Sequence, residues 1–219
     1  MEPEFWHERW HENRIGFHQK DVNRFLKRYF AKLKGVHAGP LFVPLCGKSQ
    51  DMVWLREQGR EVLGNELSPL AVEAFFKEQR CAALRAGRGE FLEYRTDGIT
   101  ILLGDYFELT QAVLGPISAV YDRAALIAMP PDMRPDYALH MASLLTPGTP
   151  LLLVAPFSLK DPQNGPPFVV SQEEVIDLFT PHFTIEVLEC ERETSAINPS
   201  LAEKGLKWRE EAVYLLTRR

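Results

Sequence analysis

The chain has 219 residues, 45% of them hydrophobic, with 25 Lys and Arg against 30 Asp and Glu for a formal net charge of -5. That length can bury a full core, and no Gly/Ser linker marks a boundary, so one domain over residues 1–219 is predicted. The acidic balance, with Lys and Arg scattered rather than striped, excludes a general phosphate-backbone binder, and no nucleic-acid partner is expected.

The N-terminus, MEPEFWHERW, is acidic and aromatic, unlike a secretory signal. No apolar run approaches the roughly 20 residues that span a bilayer, so no membrane partner is expected. Cys46, Cys81 and Cys190 are odd in number and far apart, which points to no disulfide framework, no metal site and a reducing cytoplasm.

In chain order, Val22, Phe25, Leu26, Tyr29, Phe30 and Leu33 recur at helical spacing, and Gly35 follows as a stop. Leu41 to Val43 reads as a strand, Ser49 to Gln58 as a helix, and Glu61 to Asn65 as a second strand. Ser68-Pro69 then supplies an N-cap and a first-turn proline for a helix that buries Val72, Phe75 and Phe76. Phe91 to Arg95 and Ile99 to Leu103 flank Thr96-Asp97-Gly98, the signature of an inserted hairpin. Ile117 to Tyr121 is a further strand, and Asp132 is placed as the cap of a helix carrying Tyr137, Met141, Leu144 and Leu145, with Gly148 as its stop. Pro150 to Pro156 is the most apolar stretch, as a strand covered on both faces requires. Ser158 to Phe168, rich in proline, is a loop at a strand's carboxyl end. Ser171 and Glu174 form a capping box for a helix through Phe179, and Phe183 to Leu188 and Ala212 to Thr217 close the sheet as an antiparallel pair. The fold class is therefore α/β.

The segment LFVPLCGKSQDMVWLREQGREVLGNE, Leu41 to Glu66, combines strand, glycine turn, helix and strand, and ends in an acid about 20 residues beyond the turn. A nucleotide-type ligand fits that spacing, with backbone N–H groups at the turn and the Glu66 carboxylate on two ribose hydroxyls. Gly47-Lys48-Ser49 is not a phosphate loop, because Phe42 stands where that motif needs glycine. The turn also lacks the second glycine through which a dinucleotide's pyrophosphate approaches the chain. A phosphate-free ligand, S-adenosylmethionine, suits the bulkier turn, although Glu66 read alone is also an ordinary helix-start carboxylate. Gly104-Asp105-Tyr106-Phe107 follows the third core strand, where an acid and an aromatic ring can meet an adenine, or simply form a turn. Tyr121-Asp122-Arg123 brings a charged pair to the switch region where ligands of open α/β sheets sit. A NAD-dependent oxidoreductase and a non-catalytic nucleotide-binding protein are the competing classes.

Taken together, Trp6, Trp10, Phe17-His18-Gln19, Val43-Pro44-Leu45-Cys46-Gly47-Lys48-Ser49, Gly64-Asn65-Glu66-Leu67-Ser68 and Tyr121 to Leu126 resemble the bacterial type of thiopurine S-methyltransferase nearly end to end. The resemblance implies a Rossmann-like S-adenosylmethionine-dependent fold: a mostly parallel sheet of seven or slightly more strands, an antiparallel C-terminal strand, and an N-terminal helical cover over 1–35. It implies that Trp10, Leu45, Gly47, Glu66 and Arg123 contact S-adenosyl-L-methionine, with Asp105 and Tyr106 at the adenine, and that Phe17 faces the acceptor. Lys204 stands where the family carries a second arginine, which keeps the charge and loses the planar fork. The implied reaction is methylation of aromatic or heterocyclic thiols, and in bacteria of selenium or tellurium species; a monomeric cytoplasmic enzyme is expected.

Such a displacement needs alignment more than acid or base chemistry. Arg123 is expected to favour the anionic acceptor with help from Lys204, and Asp122 to hold Arg123 or to accept a proton through water. The acceptor pocket is expected from Phe17, the Ala128 to Pro131 turn, Phe157 and the proline-rich loop to Phe168. Cys46 is read as structural, since no histidine stands at an obvious partner position.

Overall fold

A computed structural model describes residues 3–158, 165–194 and 208–219. Among the described residues nine strands form one sheet, β1 (Leu41–Val43), β2 (Val62–Glu66), β3 (Leu84–Arg88), β4 (Phe91–Thr96), β5 (Ile99–Leu103), β6 (Ala119–Arg123), β7 (Pro150–Ser158), β8 (Phe183–Thr194) and β9 (Trp208–Arg218), in the spatial order β3-β4-β5-β2-β1-β6-β7-β9-β8. β5, β2, β1, β6 and β7 run parallel. Antiparallel pairs extend the sheet at both sides. From β1 the chain builds outward first through β2 and later through β6. The switch point lies between β1 and β6, and a crevice opens there at the carboxyl ends of the strands.

The helices are α1 (Pro3–His11), α2 (Arg24–Tyr29), α3 (Gln50–Glu57), α4 (Pro69–Glu78), α5 (Gln111–Leu114), α6 (Ala125–Ala128), α7 (Arg134–Leu144) and α8 (Gln172–Phe179). Strand alternation divides the core between the two faces. Phe42, Val120, Leu151 and Leu153 join one cluster, whereas Leu41, Val43, Tyr121, Leu152 and Val154 join the other. β7 is buried on both sides as its composition predicts, between β6 and β9.

Several expectations need correction. The helix expected from Asp21 to Leu33 is the short α2, capped by the Asn23 side chain, followed by a tighter 3-10 turn over Phe30–Leu33. The inserted hairpin is a three-stranded meander, because β3 adds to the edge; its side chains are largely exposed, so it shows no apolar alternation to read. Asp132 lies within a 3-10 turn, Pro131–Met133, and caps nothing; α7 starts at Arg134 without a side-chain cap and ends before Leu145. Ser171 does accept the Glu174 N–H, but the Glu174 carboxylate pairs with buried Arg134 at 2.6 Å. β8 and β9 pair antiparallel as expected and are longer than predicted.

Candidate active site

After β1 the chain turns sharply through Pro44-Leu45-Cys46-Gly47, with Leu45 at φ +46° and Gly47 at φ +54°. A non-glycine residue in the left-handed region is strained and persists where its surroundings dictate it. The turn is fastened to β2: the Cys46 N–H donates to the Asn65 carbonyl at 2.9 Å, and the Gly47 N–H donates to Glu66 Oε2 at 2.8 Å. Gly64 leaves the room for this, since a Cβ there would stand 2.7 Å from Cys46 Sγ. Ser49 then caps α3.

Glu66 ends β2 and is buried. Its other oxygen accepts the Ser68 N–H at 2.8 Å. The Leu67 N–H also bears on the carboxylate, which is thereby fixed at the strand end. Burial pushes its pKa up, and the N–H bonds from Ser68 and Gly47 pull it back. The Asn65 amide donates to the Leu102 and Gly104 carbonyls, which ties the end of β2 to that of β5. There Asp105 caps a short 3-10 turn, Tyr106–Glu108, by accepting the Phe107 N–H at 2.9 Å. Tyr106 is buried with its ring 4.8 Å from that of Tyr137, and its hydroxyl has no partner among the described residues.

Arg123 ends β6. Its Nε donates to Asp51 Oδ2 at 3.2 Å and its Nη1 to the Phe17 carbonyl at 3.4 Å. Asp51, at the start of α3 and 2% exposed, is a hub: it also accepts the Tyr121 hydroxyl at 2.9 Å and the Asn23 N–H at 2.8 Å. Asp122, expected to hold Arg123, forms no hydrogen bond with it among the described residues and acts on it only as a nearby charge. Adjacent strand residues point to opposite faces, and Asp122 accepts instead from the Tyr137 hydroxyl at 2.7 Å and the Ala125 N–H, fully buried and outside the cavity wall. No contact places it where an acceptor proton could reach it.

Burial pushes the Asp122 carboxyl up to about 6 from 3.8, against the bonds from Tyr137 and Ala125. Between those pH values the folded chain holds a proton that the unfolded chain has released. Stability therefore falls as pH rises through that window and levels above it. Asp122→Asn is expected to remove up to about 3 kcal/mol of that decline. Urea unfolding of both proteins at pH 4.5 and 7 checks this, and parallel slopes would show that Asp122 does not titrate there.

These elements surround a cavity of about 600 Å³. Trp10, Phe17, Leu45, Gly47, Glu66, Asp105, Tyr106 and Arg123, all singled out in the sequence, line it together. Trp10 closes over the turn, so that a Cβ on Gly47 would lie 3.3 Å from its ring, and Phe17 packs edge-on against Trp6 and Trp10. Met129, Met133 and Pro166 to Phe168 give an apolar lobe. Lys204 and the Phe157 side chain lie outside the described residues. Asp51, Arg9 and His18 also line the cavity and carried no role in the sequence reading. Arg9 was detectable, because Trp6, Arg9 and Trp10 share one face of α1 at i, i+3 and i+4. Burial lowers the His18 pKa, and neighbouring Lys48 adds to this.

The donor set fits a sugar-bearing ligand without phosphate. Four carboxylate residues line the cavity, Asp51, Glu66, Asp105 and Glu211, while Lys48 is paired with Glu78 at 2.6 Å and Arg123 with Asp51. Among the described residues no cluster of His, Cys, Asp and Glu could hold a metal, and no helix is long and apolar enough to cross a membrane.

The family model of thiopurine S-methyltransferase matches residues 1–219. The chain belongs to the thiopurine S-methyltransferase family. It is 45% identical over 217 residues to a thiopurine S-methyltransferase of Methylococcus capsulatus, covering 99% of this chain and 97% of that one. It is likewise 45% identical over 219 residues to one from Shewanella oneidensis, covering the full length of both. Among solved structures it is similar to 1,6-didemethyltoxoflavin-N1-methyltransferase of Burkholderia thailandensis (TM-score 0.62, 17% identity, 99% of this chain and 87% of that one). It is also similar to a SAM-dependent methyltransferase of Anabaena variabilis (TM-score 0.61, 14% identity, 99% and 95%). The chain is thus a methyltransferase with a Rossmann-like fold of the SAM-dependent type. The oxidoreductase and non-catalytic alternatives fall away.

Proposed function

We propose that this member of the thiopurine S-methyltransferase family transfers the methyl group of S-adenosyl-L-methionine to the sulfur of aromatic or heterocyclic thiols, thiopurines among them. S-Adenosylmethionine supplies a methyl carbon on a sulfonium sulfur, open to in-line displacement, and leaves as S-adenosylhomocysteine. The convergence of Glu66, Asp105, Trp10 and Arg123 on one cavity with an apolar lobe carries this assignment.

Glu66 would take the ribose hydroxyls, and the Asp105 to Tyr106 turn would meet the adenine. Trp6, Trp10 and Phe17 offer ring faces to a cation and exclude water. A guanidinium has five N–H donors, of which Asp51 and Phe17 take two; the remainder would draw a thiolate to the strand end. Aromatic thiols ionise near neutral pH, so orientation is the larger share of the task, with up to roughly 7–11 kcal/mol available from well-aligned reactants. Selenium and tellurium nucleophiles share the softness of thiolates and belong in the same acceptor class.

The test is an acceptor screen with radiolabelled S-adenosylmethionine across thiophenols, thiopurines, selenols and tellurite. Methylation of aromatic thiols is expected, and none in any arm would overturn the assignment. Arg123→Ala is expected to raise the acceptor KM and move the acidic limb of the rate profile to higher pH. An unchanged KM with an unchanged limb would remove Arg123 from acceptor recognition.

A further inference from the structure

Arg134, the first residue of α7, is fully buried, which is unusual for a cation. A buried guanidinium persists where its N–H groups are matched, and those of Arg134 are matched mostly by backbone carbonyls from two separate segments. Its Nε donates to the Leu126 and Met129 carbonyls at 3.1 Å each. Its Nη1 donates to the Val169 carbonyl at 3.0 Å and to Glu174 Oε1 at 2.6 Å. Nη2 has no hydrogen-bond partner among the described residues.

Those carbonyls bracket the two walls of the apolar lobe. Leu126 and Met129 flank Ile127 and Ala128 at the end of α6, and Val169 follows Phe168 at the end of the proline loop; Ile127, Ala128, Met129 and Phe168 all line the cavity. The walls also touch, since the Phe168 N–H donates to the Ile127 carbonyl at 2.7 Å, and the guanidinium carbon lies 6.0 Å from the Phe168 ring centre. α6 is four residues long, and so short a helix leaves most of its carbonyls to groups outside it. Arg134 serves that wall and the opposite one with the same planar fork. None of these partners is among the residues proposed to hold S-adenosylmethionine.

We infer that Arg134 is a positioning residue for the methyl acceptor: by joining α6 to the proline loop it fixes the width of the apolar lobe, and with it the size of the ring that is admitted. Glu174, from α8, holds the guanidinium in place. This rests on the acceptor lobe proposed above. A guanidinium is required because its donors stand at fixed separations, whereas a lysine ammonium is a compact point charge that cannot keep two walls at a set distance.

The test uses thiophenol and 2-naphthalenethiol, which differ by one fused ring. Binding of each to protein saturated with S-adenosylhomocysteine is read by tryptophan fluorescence in the wild type, Arg134→Lys and Glu174→Gln; turnover, S-adenosylhomocysteine affinity and thermal unfolding are read separately. Arg134→Lys is expected to shift the ratio of affinities toward the larger thiol by about tenfold, a discrimination within reach of an apolar pocket, with S-adenosylhomocysteine affinity kept within about threefold. Glu174→Gln should shift the ratio in the same direction by less. Because the Glu174 side chain is partly exposed, that variant decides the matter if Arg134→Lys does not fold. A ratio that does not move toward the larger thiol in any folded variant, or S-adenosylhomocysteine affinity that falls in step with that of the thiols, would reduce Arg134 to a stabiliser of the fold; either result overturns the inference, as does a wild type that binds neither thiol. If the ratio shifts as expected but neither thiol is methylated, the positioning role stands and thiol methylation fails.

Discussion

Replacing Asp51 by alanine is expected to cost about 3–5 kcal/mol of folding stability, the usual penalty for stranding the partner of a buried ion pair. The loss would be spread over three groups. Arg123 would keep its charge at a strand end without a counter-ion, the Tyr121 hydroxyl would lose its acceptor, and the Asn23 N–H that starts α2 would go unpaired. Urea unfolding gives the magnitude. Asp51→Asn retains an acceptor for Asn23 and is expected to be the milder variant in stability yet to impair turnover, because a neutral amide no longer fixes the guanidinium. A loss below about 1 kcal/mol for Asp51→Ala, the level of an exposed pair, would show that the hub is not a buried network.

Glu66→Ala is expected to lower S-adenosylhomocysteine affinity by at least 100-fold. Two hydrogen bonds to a charged carboxylate contribute roughly 1.5 kcal/mol each or more, and about 1.4 kcal/mol is tenfold. Because Glu66 also receives the Gly47 and Ser68 N–H groups, the variant loosens the turn as well as the ligand. Glu66→Gln separates the two effects: it keeps a carbonyl oxygen for one of those N–H groups and loses the charge. Calorimetric titration alongside thermal unfolding checks the pair, and affinity of Glu66→Ala within threefold of wild type would exclude the carboxylate from ligand binding. Burial raises the Glu66 pKa, so acidification should weaken binding at a higher pH than an ordinary glutamate would allow.

The turn between β1 and β2 was legible in the sequence because its signals are local. Ser49 and Ser68 cap their helices, Pro69 follows at the first position, and the carboxylate stands at the required spacing from Gly47. The parts that were not legible depend on partners distant in sequence. Asp51 meets Arg123 from 72 residues away, and nothing in its own neighbourhood distinguishes it from a helix-start acid. Asp122 and Arg123 read as one charged pair, although the pleat sends them to opposite sides of the sheet; extending β6 by two residues in the reading would have separated them. β3 was missed because its side chains face solvent at an edge, where no alternation is enforced.

The two halves of the cavity are held by very different means, and this bears on how the family can diversify. The half built on Glu66, Asn65 and Asp51 is locked into strand ends by buried bonds, whereas α1 meets the rest through ring contacts and long bonds of 3.4 Å from His7 to the Leu67 carbonyl and from Arg9 to that of Pro166. Substitutions on α1 away from buried Trp10 would therefore retune which nucleophile is admitted at small thermodynamic risk. The reaction can stay fixed while its clientele drifts.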